Sequence, residues 1–444
     1  MAIDNSFSYN LRIILAYKDI LRNHCSPITR KYINNFRQSQ LKAAHKLQNK
    51  ECLSVAFFLT IPGMWKHDAL FKAMLRDPHF HPFVVIYPYS AYKGYERDEL
   101  LKTLERTRLF IEQKGYEYVI PYDEKTKTWK DVKHTHHPDI VFFTTPYKDV
   151  LPQYFIYHFK DTLTCYIPYA FTSLDFYKAN YDLIFHNLVG LFFQETEAHR
   201  NLAKKYGRNG GVNAVVTGYP ATEIYLDENY QPIDPWKPQS VEKKRLIYAP
   251  HHSIDTDHNS TFLKYCDELL SMAEKYKDNI QLAFKPHQTL KLKLQKIWGT
   301  EKTERYYHLW ETMENTQLVN DGYEDLFLTS DAMIHDSGSF TTEYLFTKKP
   351  VMYLCSNSNM TDKFNEFGLN SFNQHYHGHD IADIEYFLNE VIIKGNDPMK
   401  TRREQFFECY LKPKDGLLPS QKIIQVIDNF IKEYDDEPVI KFSL

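Results

Sequence analysis

Short apolar runs alternate with stretches of helical spacing along most of the chain. Ser54–Leu59 (SVAFFL) is apolar at nearly every position, as a strand covered on both faces must be. A helical stretch over 67–76 leads to a β-prone run at Phe83–Tyr87. A helix over 96–114 leads to Tyr118–Ile120. Ile140–Phe143, Leu163–Ile167, either Leu183–Phe185 or Leu191–Phe193, and Ala214–Val216 continue the series, and Gly218-Tyr219-Pro220 closes it. Residues 227–244 are polar and carry Pro232, Pro235 and Pro238, which marks a linker. A second series follows, with strands at Leu246–Ala249, Ile280–Phe284, Gln317–Val319, Ala332–Ile334 and Val351–Leu354. Helical spacing covers 260–277, 323–328, 340–346, 381–393, 399–410 and 420–434. Such alternation builds βαβ units and parallel sheets. The expected fold is therefore α/β, with two Rossmann-type doubly wound domains facing a central cleft that holds the ligand.

The expected borders are a basic helical extension over 1–50, a first domain over 51–226 and the linker over 227–244. A second domain then spans 245–410, followed by a C-terminal helix and tail over 411–444. At 444 residues two such domains can each bury a core. The net charge is only −3, which argues against a nucleic-acid partner. That balance is uneven. Residues 1–50 hold nine Lys or Arg against Asp4 and Asp19, a net +7, which leaves −10 for the rest. Ile13, Ile14, Tyr17, Ile20 and Leu21 recur at helical spacing, and a second helix is expected over 30–48. A basic amphipathic segment of this kind suits an anionic membrane surface, or simply a solvated helix packed on the next domain. No run approaches a membrane span, and no signal peptide is expected at the start. Six cysteines without a C-x-x-C pair fit a reducing cytoplasm.

Candidate chemistry clusters where strands end. In His335-Asp336-Ser337-Gly338-Ser339 small residues let backbone N–H groups approach a phosphate. Ser337, Ser339 and Thr341 add hydroxyls, Asp336 of the same turn is counted with them as a substrate contact, and Glu343 is placed for a ribose or substrate hydroxyl. The competing reading is a helix capped by Ser337 or Ser339. Lys285-Pro286-His287 ends another strand. Lys285 suits a diphosphate, and His287 a donor to the leaving phosphate. A third group, Tyr248-Ala249-Pro250-His251-His252-Ser253, brings His252 towards the same cleft. Asp255, Asp257 and His258 follow, but the Asp-x-Asp pattern is short and no metal or other cofactor is expected. Pro62-Gly63-Met64-Trp65 supplies Trp65 as an acceptor contact or as a buried anchor. Walker A, G-x-G-x-x-G and G-x-S-x-G patterns are absent, which leaves kinases, dehydrogenases and α/β-hydrolases unsupported.

Together these residues resemble the CDP-glycerol glycerophosphotransferase family of teichoic-acid and capsule-type enzymes. The resemblance runs over about residues 51–410. It rests on the first strand with its Trp loop and on Pro138-Asp139-Ile140-Val141-Phe142-Phe143 with Pro146-Tyr147. Tyr166-Ile167-Pro168-Tyr169, Val216-Thr217-Gly218-Tyr219-Pro220, Tyr248-Ala249-Pro250, Lys285-Pro286-His287 and the block from Asp331 to Leu354 complete it. It implies a GT-B fold and metal-independent transfer of a polyol phosphate from a CDP-activated donor to a lipid-linked or polysaccharide acceptor. Such an enzyme would work in the cytoplasm, with a peripheral place at the membrane. The family's diphosphate grip falls on Lys285, His287, Ser337, Gly338 and Ser339. The family's Trp-His-Gly-Thr element is replaced by Tyr166-Ile167-Pro168-Tyr169-Ala170-Phe171, so His186, His67 and His252 all stand as candidate bases. The Asp-Ser-Gly-Ser turn is also similar to that of GT-B epimerases and hexosyltransferases using UDP- or CMP-sugars, which form the alternative. A non-catalytic scaffold is a third reading.

Overall fold

The computed structural model describes residues 26–88, 97–254, 260–320, 322–356 and 360–432. Among them two compact units form, the first from 26–172, 176–223 and 413–432, the second from 173–175 and 224–412. The first unit carries strands β1 (Leu53–Leu59), β2 (Phe80–Ile86) and β3 (Tyr118–Val119). A small antiparallel hairpin, β4 (Tyr122–Asp123) and β5 (Thr128–Trp129), follows. Then come β6 (Ile140–Phe143), β7 (Leu163–Tyr166), β8 (Leu191–Gln194) and β9 (Ala214–Val216). Its seven-stranded sheet runs β3-β2-β1-β6-β7-β8-β9, and every pair is parallel. The all-apolar strands are buried on both faces, and Phe57 of β1 stacks on Phe142 of β6 at 4.7 Å.

The second unit holds β10 (Lys244–Ala249), β11 (Ile280–Phe284), β12 (Thr316–Leu318), β13 (Ala332–His335), β14 (Val351–Leu354) and β15 (Tyr376–Gly378). These pair in parallel in the order β12-β11-β10-β13-β14-β15. The chain starts in the middle of each sheet and reverses its winding there, which creates a switch point between β1 and β6 and another between β10 and β13. At 183–193 the choice falls on Leu191–Gln194 as the strand. Ile184–Leu188 is a helix instead, with Asn187 Nδ2 donating to Leu183 O at 3.0 Å.

Three borders differ from the pattern-based ones. Residues 27–45 are not an extension. Helix Pro27–His45, capped by Ser26, buries Ile33 and Phe36 in the first unit's core. Arg37 Nη1 donates to Gly190 O at 2.6 Å, so one of the nine basic residues is internal. Gln40 is fully buried. Its amide nitrogen donates to the carbonyls of Phe159, Lys160 and Thr162, and its oxygen accepts from Thr164 N and Oγ1. The more N-terminal helix expected near 13–21 lies outside the described residues. Residues 227–244 are not a free linker either. Trp236 is buried and its Nε1 donates to Thr329 Oγ1 at 3.0 Å. Lys237 N donates to Gln317 Oε1 at 2.6 Å, and Gln281 Nε2 donates to Lys237 O at 2.7 Å. Polar strand-end side chains thus satisfy a proline-rich backbone on the second unit. Finally, the C-terminal helix Pro419–Lys432 returns to the first unit and buries Ile423, Ile427 and Ile431. Glu223 accepts from Ser420 N and Oγ at 2.8 and 2.7 Å, and Arg37 lies over the Phe430 ring. Gly218 sits at φ +82°, and a Cβ there would stand 3.0 Å from Pro419, so this turn admits only glycine comfortably.

Gln40→Ala strands several buried backbone groups at once. Denaturant unfolding should show a loss of about 2–4 kcal/mol, since each orphaned group costs about 1–3 kcal/mol. Unchanged stability would mean that Gln40 does not tie this helix to the sheet.

Candidate active site

In the second sheet β11, β10 and β13 are neighbours, with Tyr248 opposite Phe284 and Ala249 opposite His335. Their carboxyl ends therefore open onto one edge, the edge at which open parallel sheets bind ligands. Three turns leave it: 250–253, 285–287 and 336–339. Lys285 N–H donates to Tyr248 O at 2.8 Å and His287 N–H donates to Pro250 O at 3.2 Å, which joins the first two turns.

Asp336 joins the third. One carboxylate oxygen accepts from His251 N at 2.5 Å, and the other accepts from Thr261 N at 2.6 Å and Thr261 Oγ1 at 2.9 Å. Burial pushes this carboxyl up to about 6, against the pull of those donors. Asp336 is thus a clamp between turns rather than the substrate contact expected of it. Both oxygens are occupied by the protein's own donors.

The histidines meet above this clamp. The His252 ring lies 4.3 Å from His251 and 4.1 Å from His287, centroid to centroid. The His287 side chain is exposed, yet crowding of the ring and then His252, His251, Lys285 and Lys293 lower it to about 3. His251 falls to about 4, through burial first and then His252 and Lys293. Both rings are neutral near pH 7. Thr289 N–H donates to His287 Nδ1 at 3.2 Å, so the neutral ring carries its proton on Nε2. Lys285 is buried and its Nζ donates to Asn320 O at 2.9 Å.

On the third turn the Ser337 and Ser339 hydroxyls lie 3.2 Å apart, and Ser339 makes no cap bond to the short helix Phe340–Glu343. The capping alternative is therefore not realised, and the two hydroxyls stay on the turn. Ser337 N–H donates to His335 Nδ1 at 3.1 Å. Buried His335 packs against His375 at 5.3 Å, and both are held neutral by burial.

Other candidates have different surroundings from those expected. Thr341 is fully buried and donates to Ser337 O at 3.0 Å, so its proton is used within the turn. Buried Glu343 accepts from Tyr323 OH at 2.8 Å. A Cβ on Gly338 would lie 3.1 Å from Leu174, so this glycine accommodates a packed leucine, a reason that phosphate chemistry did not suggest. Trp65 is buried in the first unit among Phe57, His67 and Phe71, with Nε1 donating to Asp68 at 3.0 Å. It is the anchor and not an exposed acceptor contact. His67 and His186 are core residues of that unit, each pushed down to about 3 by burial. Asp255, Asp257 and His258 lie outside the described residues. His251, Thr261 and Thr289 escaped the sequence reading of roles, because all three act through backbone N–H groups that no side-chain pattern reports.

A family model described as CDP-Glycerol:Poly(glycerophosphate) glycerophosphotransferase matches residues 195–429, more than half of the chain and all three turns. The chain belongs to this family. This glycerophosphotransferase is also similar in fold to a variant of the wall teichoic acid polymerase TagF. The identity is 13 % and the TM-score 0.56, with 97 % of this chain and 99 % of that one covered. A putative UDP-N-acetylglucosamine 2-epimerase from Listeria monocytogenes matches at 14 % identity and TM-score 0.53, covering 86 % of this chain and 98 % of its own. At these identities the likeness speaks for a GT-B-type α/β fold. No curated protein sequence matches.

The Asp336 clamp has a pH signature. Its folded carboxyl titrates near 6 and an unfolded one near 3.8. As pH rises through that window the unfolded chain releases its proton first, so wild-type stability falls. Asp336→Asn lacks this term. The wild-type advantage over D336N in unfolding free energy should shrink by roughly 2–3 kcal/mol between pH 4 and pH 7. A pH-independent difference would contradict the buried, raised carboxyl.

Proposed function

We propose that this glycerophosphotransferase uses CDP-glycerol as donor. It passes glycerol phosphate to a hydroxyl on a lipid-linked or polysaccharide acceptor in teichoic-acid-type polymer synthesis. The observation that carries the reading is the meeting of Lys285, His287, His252, Ser337 and Ser339 on one sheet edge. The solved structure of a TagF variant with CDPG soaked in supports the same donor for this chain.

The acceptor oxygen forms a bond to the donor's β-phosphorus while the bridging P–O bond breaks. CMP leaves with that electron pair. His287, with its proton on Nε2, donates to a diphosphate oxygen and steadies the charge that moves onto CMP. Lys285 adds positive charge from beneath the turn. The Ser337 and Ser339 hydroxyls hold the remaining oxygens together with the Gly338 amide. His252, packed on His287, is the assigned base for the acceptor proton. No cofactor enters the scheme.

Peripheral membrane contact belongs to the same proposal. No helix among the described residues is long and apolar enough to cross a membrane. Lys31, Lys42 and Lys46 are exposed on helix Pro27–His45 and the residue that follows it, and they supply a basic face.

Two outcomes check this reading. His287→Ala, at an exposed side chain, should cut CDP-glycerol-dependent transfer by about 100-fold or more with thermal unfolding unchanged. Full activity would remove His287 from the reaction. Reversing Lys31, Lys42 and Lys46 to Glu should weaken binding to vesicles containing anionic lipid, at about 1 kcal/mol per lysine. Equal binding would dismiss the membrane face. Charge reversal is the informative variant, because deleting a helix that fills the core would unfold the unit.

A further inference from the structure

A second cluster of chemistry-bearing side chains lies in the first unit, on the segments that lead into the amino ends of β6 and β7. Asp131 caps the short helix Val132–Thr135. One of its oxygens accepts Lys133 N–H at 3.0 Å, which fixes the carboxylate plane. The other faces two imidazoles, His134 Nδ1 at 2.8 Å and His158 Nε2 at 2.6 Å. His158 comes from the turn Ile156–Phe159 that precedes β7. The three ligand atoms all lie within 4.8 Å of one another. Side-chain exposure is 28 % for Asp131, 30 % for His158 and 69 % for His134, so the cluster is sheltered on one side and open on the other.

We propose that Asp131, His134 and His158 form a binding site for a zinc-type divalent ion. Two imidazole nitrogens and one carboxylate oxygen suit Zn2+, whereas Mg2+ and Ca2+ ask for oxygen alone. Tetrahedral bonds of about 2.0–2.1 Å put ligand atoms roughly 3.3 Å apart. The two short contacts must therefore open slightly, and the exposed His134 ring is free to swing. On binding, the ion takes the place of the two ring N–H groups that now point at Asp131. Each imidazole carries its proton on the other nitrogen, and no redox partner is needed. The Lys133 amide on the far carboxylate oxygen is the supporting contact that metal-binding carboxylates use. Lys133 Nζ, on the same short helix, is engaged by His158 O and the Asp161 carboxylate. Three protein ligands leave a fourth position to water. The ion would staple the segments before two adjacent strands, so its role is structural and separate from the transfer site of the second unit.

The test uses the full chain stripped with a chelator and titrated with Zn2+ against a chromophoric competitor. One ion per chain, a rise in Tm with Zn2+ and none with Mg2+ are expected. His134→Ala removes an exposed ring without disturbing the core and should weaken Zn2+ at least tenfold; His158→Ala should do the same. Absence of stoichiometric Zn2+ binding would overturn the site. So would one ion held equally tightly by the H134A/H158A chain, which would place the metal elsewhere.

Discussion

The sheet edge at which the second unit's three turns meet depends on one buried carboxylate. Asp336 leaves the end of β13 and takes three donors from the loop and helix that follow β10. Removing a carboxylate from water is costly unless its lone pairs are filled. The cost is offset only when 250–253 and Thr261 are in place, so the clamp forms as a whole or not at all. His251, His252 and His287 inherit their packing from it, because His251 N–H is one of the three donors. The packing of these three imidazoles thus rests on a carboxylate whose own oxygens are already filled by the protein's donors.

The architecture was legible because parallel strands buried on both faces read as unbroken apolar runs. SVAFFL and IVFF could hardly be anything else. Borders were less legible for a physical reason. Helix Pro27–His45 joins its unit through Gln40 and Arg37, polar side chains that complete backbone bonds across more than a hundred residues of sequence. A polar residue at a core position looks like a surface residue until its distant partners are known. The proline-rich 227–244 stretch misled in the same way, since its backbone is satisfied by Gln281 and Gln317.

At the site, the strand-end positions of Lys285, His287, Ser337 and Ser339 followed from alternation alone, and register brought them together. The assignments that changed were those made from residue type. Asp336, Thr341 and Glu343 are polar and adjacent to the turn, but each is held by a protein partner. Trp65 could be read as an acceptor contact only because sequence does not report that Phe57, His67 and Phe71 close around it. Backbone donors such as Thr289 N–H, which sets the tautomer of His287, carry no sequence signal.

The return of Pro419–Lys432 to the first unit has a consequence for how the chain is made. The second unit, residues 224–412, is an uninterrupted stretch apart from its short 173–175 strand of backbone. It is complete while the first unit still lacks the helix that fills the gap beside Gly218 and Glu223. During vectorial synthesis the second unit can therefore fold as a finished body, while the unit that began to emerge first waits with an apolar seam uncovered. Helix Pro419–Lys432 is what closes a part of the protein made long before it.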